Sequence, residues 1–137
     1  MSLLVWGIKE SLIAYVTGMP DGAVETSDGA RPGAAGFEFP GSDDVFRGCV
    51  TLSGHDGMMH VAIRDPALVP EGSGWTLTVA DPDDPGIRLT FARIAALEAG
   101  TDGVRRAVGT ALTADGADLF FGPYVEGTPL DDPVIEP

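Results

Sequence analysis

Short runs of alternating apolar and polar residues, each cut off by a glycine, proline or aspartate turn, constrain this chain more than any other feature. Phe46, Val50 and Leu52 alternate with Arg47, Cys49, Thr51 and Ser53, and the turn Gly54-His55-Asp56-Gly57 follows. Met59, Val61 and Ile63 then alternate with Met58, His60 and Arg64. A period of two sends successive side chains to opposite faces of a strand, so this stretch predicts a hairpin whose connection is residues 54–57. Asp65-Pro66 ends it. Trp75, Leu77 and Val79 predict another strand, stopped by Asp81-Pro82. Ile87, Leu89 and Phe91 begin a long one, whose apolar phase slips near Arg93 as at a bulge. Val104, Val108 and Leu112 continue the series. Strands recurring about every ten residues between turn signals read as a sandwich or barrel. The expected fold is mainly β, an antiparallel β-sandwich-like single domain over residues 1–137 with a helix near each end.

The first of those helices is expected over residues 4–17. Trp6, Ile13 and Val16 would share one side, with Ile8, Leu12 and Tyr15 as an adjacent stripe. Gly18 and Pro20 are stop signals, the glycine as a left-handed cap and the proline as a breaker. Tyr15 therefore falls in the last turn. Residues 20–45 are the least regular part, with short strands expected at 23–26 and 36–39 around the turn Ser27-Asp28-Gly29. Thr113 reads as the N-cap of a short C-terminal helical turn through Leu119–Phe121.

A chain of 137 residues has room for one core. Its net charge of −13 argues against nucleic acid, because neutralising phosphates needs clustered Lys and Arg, and against an anionic membrane surface. Asp81, Asp83 and Asp84 do not make a calcium loop, since Pro82 and Pro85 break the required alternation. The single Cys49 excludes an internal disulfide and a cysteine-type zinc site. No run is long enough for a membrane span, and no basic start or apolar stretch reads as a signal peptide. The compartment stays open. The two histidines, His55 and His60, come with no Gly-x-Ser-x-Gly elbow, and no glycine-rich loop carries the P-loop lysine. Carboxylate pairs carry no information among 21 acidic residues.

What remains is Tyr15 on a helix end and His55 on a hairpin turn. Taken singly, the first reads as a core tyrosine with a bonded hydroxyl and the second as a turn residue. Taken together, an oxygen ligand facing a histidine suits ferric haem.

Several stretches, in order, carry a resemblance to a known family. They are Trp6, Lys9 and Ser11 leading to Tyr15; Asp28, Gly29 and Ala30 before Phe37, Phe39 and Pro40; Phe46, Arg47 and Gly48 leading into Gly54-His55-Asp56-Gly57; and Asp65-Pro66. Leu112, Thr113, Gly116, Ala117, Phe120, Tyr124, Gly127 and the closing Asp132-Pro133-Val134 complete the set. The chain resembles the HtaA domain, the haem-binding module of actinobacterial haem-uptake proteins, whose members are typically cell-surface or secreted. The resemblance implies a β-rich fold with helices at one end and a haem (ferric protoporphyrin IX) held by a tyrosine. It carries the axial metal ligand to Tyr15 and the supporting histidine to His55. Tyr124 matches a late tyrosine that lines the site or bonds to the histidine, and Met58 would pack on the porphyrin face. Lys9 and Arg47 are the candidate cations for the haem propionates. The implied role is iron acquisition through haem transport, with other haem-uptake proteins as partners and no enzymatic step. Ferric iron prefers an anionic oxygen, and a tyrosine, ordinarily titrating near about 10, must lose its proton to supply one. The alternative is a degenerate domain that keeps the fold as an interaction or structural module without haem.

Overall fold

The fold is described from a computed structural model, over residues 1–120 and 123–137. Strand β1 (Ser2–Trp6) leads into helix α1 (Glu10–Gly18), followed by β2 (Ala23–Ser27), β3 (Arg31–Pro32), β4 (Phe37–Ser42) and β5 (Val45–Phe46). Strands β6 (Cys49–Gly54) and β7 (Met59–Arg64) flank a 3-10 turn at His55–Gly57. Then come β8 (Ala67–Glu71), β9 (Gly74–Ala80), β10 (Arg88–Ala99), β11 (Arg105–Leu112), α2 (Ala114–Phe120) and β12 (Val134–Glu136).

The strands form two antiparallel sheets, as the alternation predicts. The larger runs β1-β12-β11-β10-β9-β8-β5-β4-β3, and β1 also pairs with β4. That pairing closes β1, β12, β11, β10, β9, β8, β5 and β4 into a barrel-like ring, with β3 as a flap on β4. A closed sheet leaves no edge to pair with another chain. The narrowest join is the single residue pair Val45↔Ala67 between β5 and β8. Two hydrogen bonds reinforce it, from Phe46 N–H to the Pro66 carbonyl at 2.9 Å and from Leu68 N–H to the Asp44 carbonyl at 2.9 Å. The smaller sheet is β2-β6-β7.

The core is aromatic at its centre. Trp6, Phe39, Phe46, Phe91 and Phe120 are fully buried. Trp6 meets Phe91 edge-on at 5.9 Å between ring centres, and Phe91 meets Phe120 edge-on at 5.2 Å. These are geometries that the ring quadrupoles favour. Alternation holds in β7, where Met59, Val61 and Ile63 are buried while His60 is exposed. The bulge in β10 lies between Thr90 and Ala92, just before Arg93. Its freed carbonyls are used: the Thr113 hydroxyl donates to the Thr90 carbonyl and accepts from Gly116 N–H at 3.0 Å. Thr113 is therefore the N-cap of α2 as expected. Phe121, where that helix was expected to end, lies outside the described residues.

Several expectations are corrected. Residues 4–17 are not one helix: Ser2–Trp6 is a strand, and only Glu10–Gly18 is helical. The reason is tertiary, since β1 pairs with β12 on one side and β4 on the other. The chain turns between them at Ile8, a buried β-branched residue held at φ 63°, a conformation such residues rarely adopt. Gly18 is not a left-handed cap; it is the last helical residue, and the cap is Met19 in an extended conformation with its N–H donating to the Val16 carbonyl. The hairpin connection sits one residue later than expected, because Gly54 still pairs with Met59. Strands β8 and β12 carry no clear alternation and were not expected. Val108 faces out, 43% exposed, because the left-handed Gly109 shifts the phase of β11.

Candidate functional site

Helix α1 has nine residues, too few to persist alone. Its start is held by a residue far along the chain. The Asp131 side chain accepts from Glu10 N–H at 3.2 Å, satisfying one free donor of the first turn. The same residue's carbonyl accepts from the Trp6 indole at 2.7 Å, and its N–H donates to the Ile8 carbonyl at 3.0 Å. Leu12 and Val16 face the core. Tyr15, one position round from Val16, is left 53% exposed near the helix end.

The end of α1 meets the β6–β7 connection closely. Gly22 sits so near the last turn that an added Cβ would lie 1.8 Å from the Val16 carbonyl oxygen. A Cβ on Gly54 would lie 2.6 Å from the Met19 methyl. This packing brings two expected site residues together: the Tyr15 hydroxyl stands 2.9 Å from His55 Nε2. Their rings are 5.9 Å apart at 44°. His55 (φ 52°), Asp56 (φ 56°) and Gly57 (φ 87°) are left-handed in succession, which only the glycine adopts freely. Asp21, which sequence reasoning did not single out, accepts from Asp56 N–H at 2.6 Å. That bond to the Asp56 backbone, helped by the His55 backbone and charge, holds its carboxyl below the ordinary 3.8 despite some desolvation. Pro20-Asp21-Gly22 is a turn signal in the sequence; its partner across 35 positions is not.

Tyr124 is half-buried, at the end of an aromatic chain that runs Trp6, Phe91, Phe120, Tyr124, the last pair 5.5 Å apart. Burial raises its phenol pKa, with a further push from Tyr15. The expected bond from Tyr124 to His55 is absent among the described residues; the side-chain hydrogen-bond partner of His55 is Tyr15. Met58 closes the connection and is 84% exposed. Lys9, one of the two candidate propionate partners, donates from its ammonium to the Pro129 carbonyl at 3.0 Å and starts a helix whose rise puts it about 9 Å from Tyr15 along the axis. Arg47, the other candidate, precedes β6, about 20 Å of strand away from His55.

Two hollows lie elsewhere. One of about 380 Å³ runs between α1 and the β3–β4 segment, past Ile13, Ala14 and Phe37. The other, of about 900 Å³, lies among His60, Asp81, Asp115 and Leu119. Neither includes Tyr15 or His55. Tyr15 and His55 are both exposed. A half-exposed phenol oxygen with an imidazole at hydrogen-bond distance is a donor set that fits a hard metal centre approached from solvent.

The family described as Htaa matches residues 2–135. No curated protein matches the chain. The N-terminal domain of HtaA from Corynebacterium glutamicum superposes with a TM-score of 0.75 at 26% identity, covering 98% of this chain and 95% of that one. The C-terminal domain of the same protein gives 0.75 at 21% identity, over 98% and 93%. The haem-binding protein HtaB from Corynebacterium glutamicum gives 0.71 at 19% identity, over 99% and 91%. At those last two identities the likeness is one of fold.

Proposed function

The chain belongs to the HtaA family, and on that premise we propose that residues 1–137 act as one haem-binding module, with Tyr15 as the axial ligand and His55 as its support. The observation that carries this reading is the 2.9 Å approach of the exposed Tyr15 hydroxyl to His55 Nε2. With the phenol protonated, its O–H donates to an unprotonated Nε2. With the phenol ionised, a protonated Nε2 donates back and stabilises the anion, so one geometry serves both states. Ferric iron, when bound, supplies the hard acid that favours the phenolate. Met58 offers exposed apolar surface next to His55, and the half-buried Tyr124 would line the site. An exposed site with one protein ligand suits transfer, with other haem-uptake proteins as donor or acceptor, more than catalysis. Peroxidase turnover above that of free haem would count against a carrier.

The test is a haemin titration followed by absorbance. Saturable binding with a high-spin ferric spectrum, abolished in Tyr15→Ala and weakened in His55→Ala, is the expected result. Equal binding by Tyr15→Ala would overturn the ligand. No binding by the intact protein would leave a module that keeps the fold without haem, the reading that the charge of −13 favours because haem is itself an anion.

A further inference from the structure

The β6–β7 connection holds an unfavourable shape. His55 and Asp56 are both left-handed, at φ 52° and 56°, and Gly57 follows at 87°. An exposed turn with two such residues relaxes unless something else holds it. Little within the turn does so: Met58 N–H donates to the His55 carbonyl at 3.0 Å, which closes the turn without fixing where it sits. The external hold is Asp21, whose Oδ2 accepts from Asp56 N–H at 2.6 Å. A carboxylate accepting from a backbone amide is among the stronger hydrogen bonds in proteins.

Asp21 is itself rigidly placed just beyond the helix that carries Tyr15. It follows Pro20, whose ring fixes φ. It precedes Gly22, which donates to the Met19 carbonyl at 3.1 Å and lies against the Val16 carbonyl. Across the gap, Gly54 comes within 3.6 Å of the Gly22 Cα by its Cβ position. The turn after α1 and the turn after β6 are thus one unit, with Asp21 as the polar link and Met19 as the apolar one.

We propose that Asp21 is a positioning residue that fixes His55 against Tyr15 by holding the left-handed β6–β7 turn. It touches neither ring's reacting atom and acts through the Asp56 amide. Its consequence for haem rests on the function proposed above; its consequence for the Tyr15–His55 hydrogen bond does not.

The experiment has two arms on the same full chain. In the haem-free protein, the His55 Nε2 resonance is compared in the parent, Asp21→Ala, Asp21→Asn and Tyr15→Phe. Asp21→Ala is expected to move that resonance to the position seen in Tyr15→Phe, which has no hydroxyl to bond the imidazole. Asp21→Asn keeps an oxygen that accepts from Asp56 N–H and is expected to stay near the parent. An Asp21→Ala resonance that coincides with the parent's would overturn the proposal. In the haem-loaded protein, Asp21→Ala is expected to alter the ferric spectrum as His55→Ala does and to speed haem loss about tenfold, the effect typical of an outer-shell change. The Asp21→Ala, His55→Ala double variant should lose haem no faster than His55→Ala alone. Additive rates would overturn the proposal. If the parent takes up no haem, the functional reading fails while the first arm still decides Asp21.

Discussion

Tyr124 and Asp21 carry the shifted groups nearest the Tyr15–His55 pair. Burial first, then Tyr15, raises the Tyr124 phenol above its ordinary 10.0. A raised folded pKa contributes stability that is complete below the unfolded value and is lost as pH rises through the folded one. The chain has only two tyrosines, so an ultraviolet titration should show a late phase that Tyr124→Phe removes. A late phase that survives would place the shift elsewhere. Asp21 has the opposite sign: its folded pKa lies below 3.8, so the link to Asp56 is intact above that value and fails as pH falls through the folded one. Exchange of the Asp56 amide, relative to its intrinsic rate, should accelerate across that acid window in the parent and be fast throughout in Asp21→Ala. Behind both lies the aromatic chain. Phe91→Ala, which removes the ring between Trp6 and Phe120, should cost about 3–5 kcal/mol in urea unfolding.

Helix α1 is an element whose orientation matters more than its propensity. It has no side-chain N-cap of its own, and Asp131 supplies one from the far end of the chain. Its exit depends on a close approach that only glycine permits at residue 22. A Gly22→Ala methyl would sit 1.8 Å from the Val16 carbonyl oxygen, against backbone that cannot rotate away. The expected result is a loss of about 1–3 kcal/mol and a displaced helix end. Gly18→Ala is the internal control: nothing lies within 4 Å of its Cβ position, and its φ is not left-handed. It should gain about 0.5 kcal/mol. Equal effects from the two substitutions would contradict this account. At the other helix, Thr113→Ala removes both the N-cap and the bond that holds the β10 bulge.

Closure of the large sheet ties the site to the whole molecule. Strand β12 joins β1 to β11, so the last residues of the chain complete the ring that the first residues begin. The Arg105–Asp44 ion pair spans β11 and the β4–β5 turn. Such a ring should unfold as one unit, with tryptophan fluorescence and the Tyr15–His55 hydrogen bond reporting the same urea midpoint. The net charge of −13 acts on all of it. Self-repulsion destabilises a compact acidic protein and slows an anionic ligand's approach. Raising salt from a few millimolar to about 0.15 M, where the screening length is about 8 Å, should therefore raise Tm and speed haemin association. A slower association at higher salt would mean that local cations, not net charge, govern the approach.

The local alternation in the sequence was enough to determine the central hairpin, β9, β10 and its bulge, and the cap at Thr113, because period and turn chemistry are written within a few residues. It was also enough to put Tyr15 on a helix end and His55 on a hairpin turn. Tertiary structure alone decided that Ser2–Trp6 is a strand, since its partners lie at Phe37–Gly41 and Val134–Glu136. An apolar run that short fits a helix or a strand until something pairs with it. The same holds for the hydrogen bonds that make the site. Asp131 reaches Trp6 across 125 positions, Asp21 reaches Asp56 across 35, and Tyr15 reaches His55 across 40. Periodicity reports which face a residue shares with its neighbours. Which distant face it meets depends on how the sheets close, and that is set by packing of the whole chain.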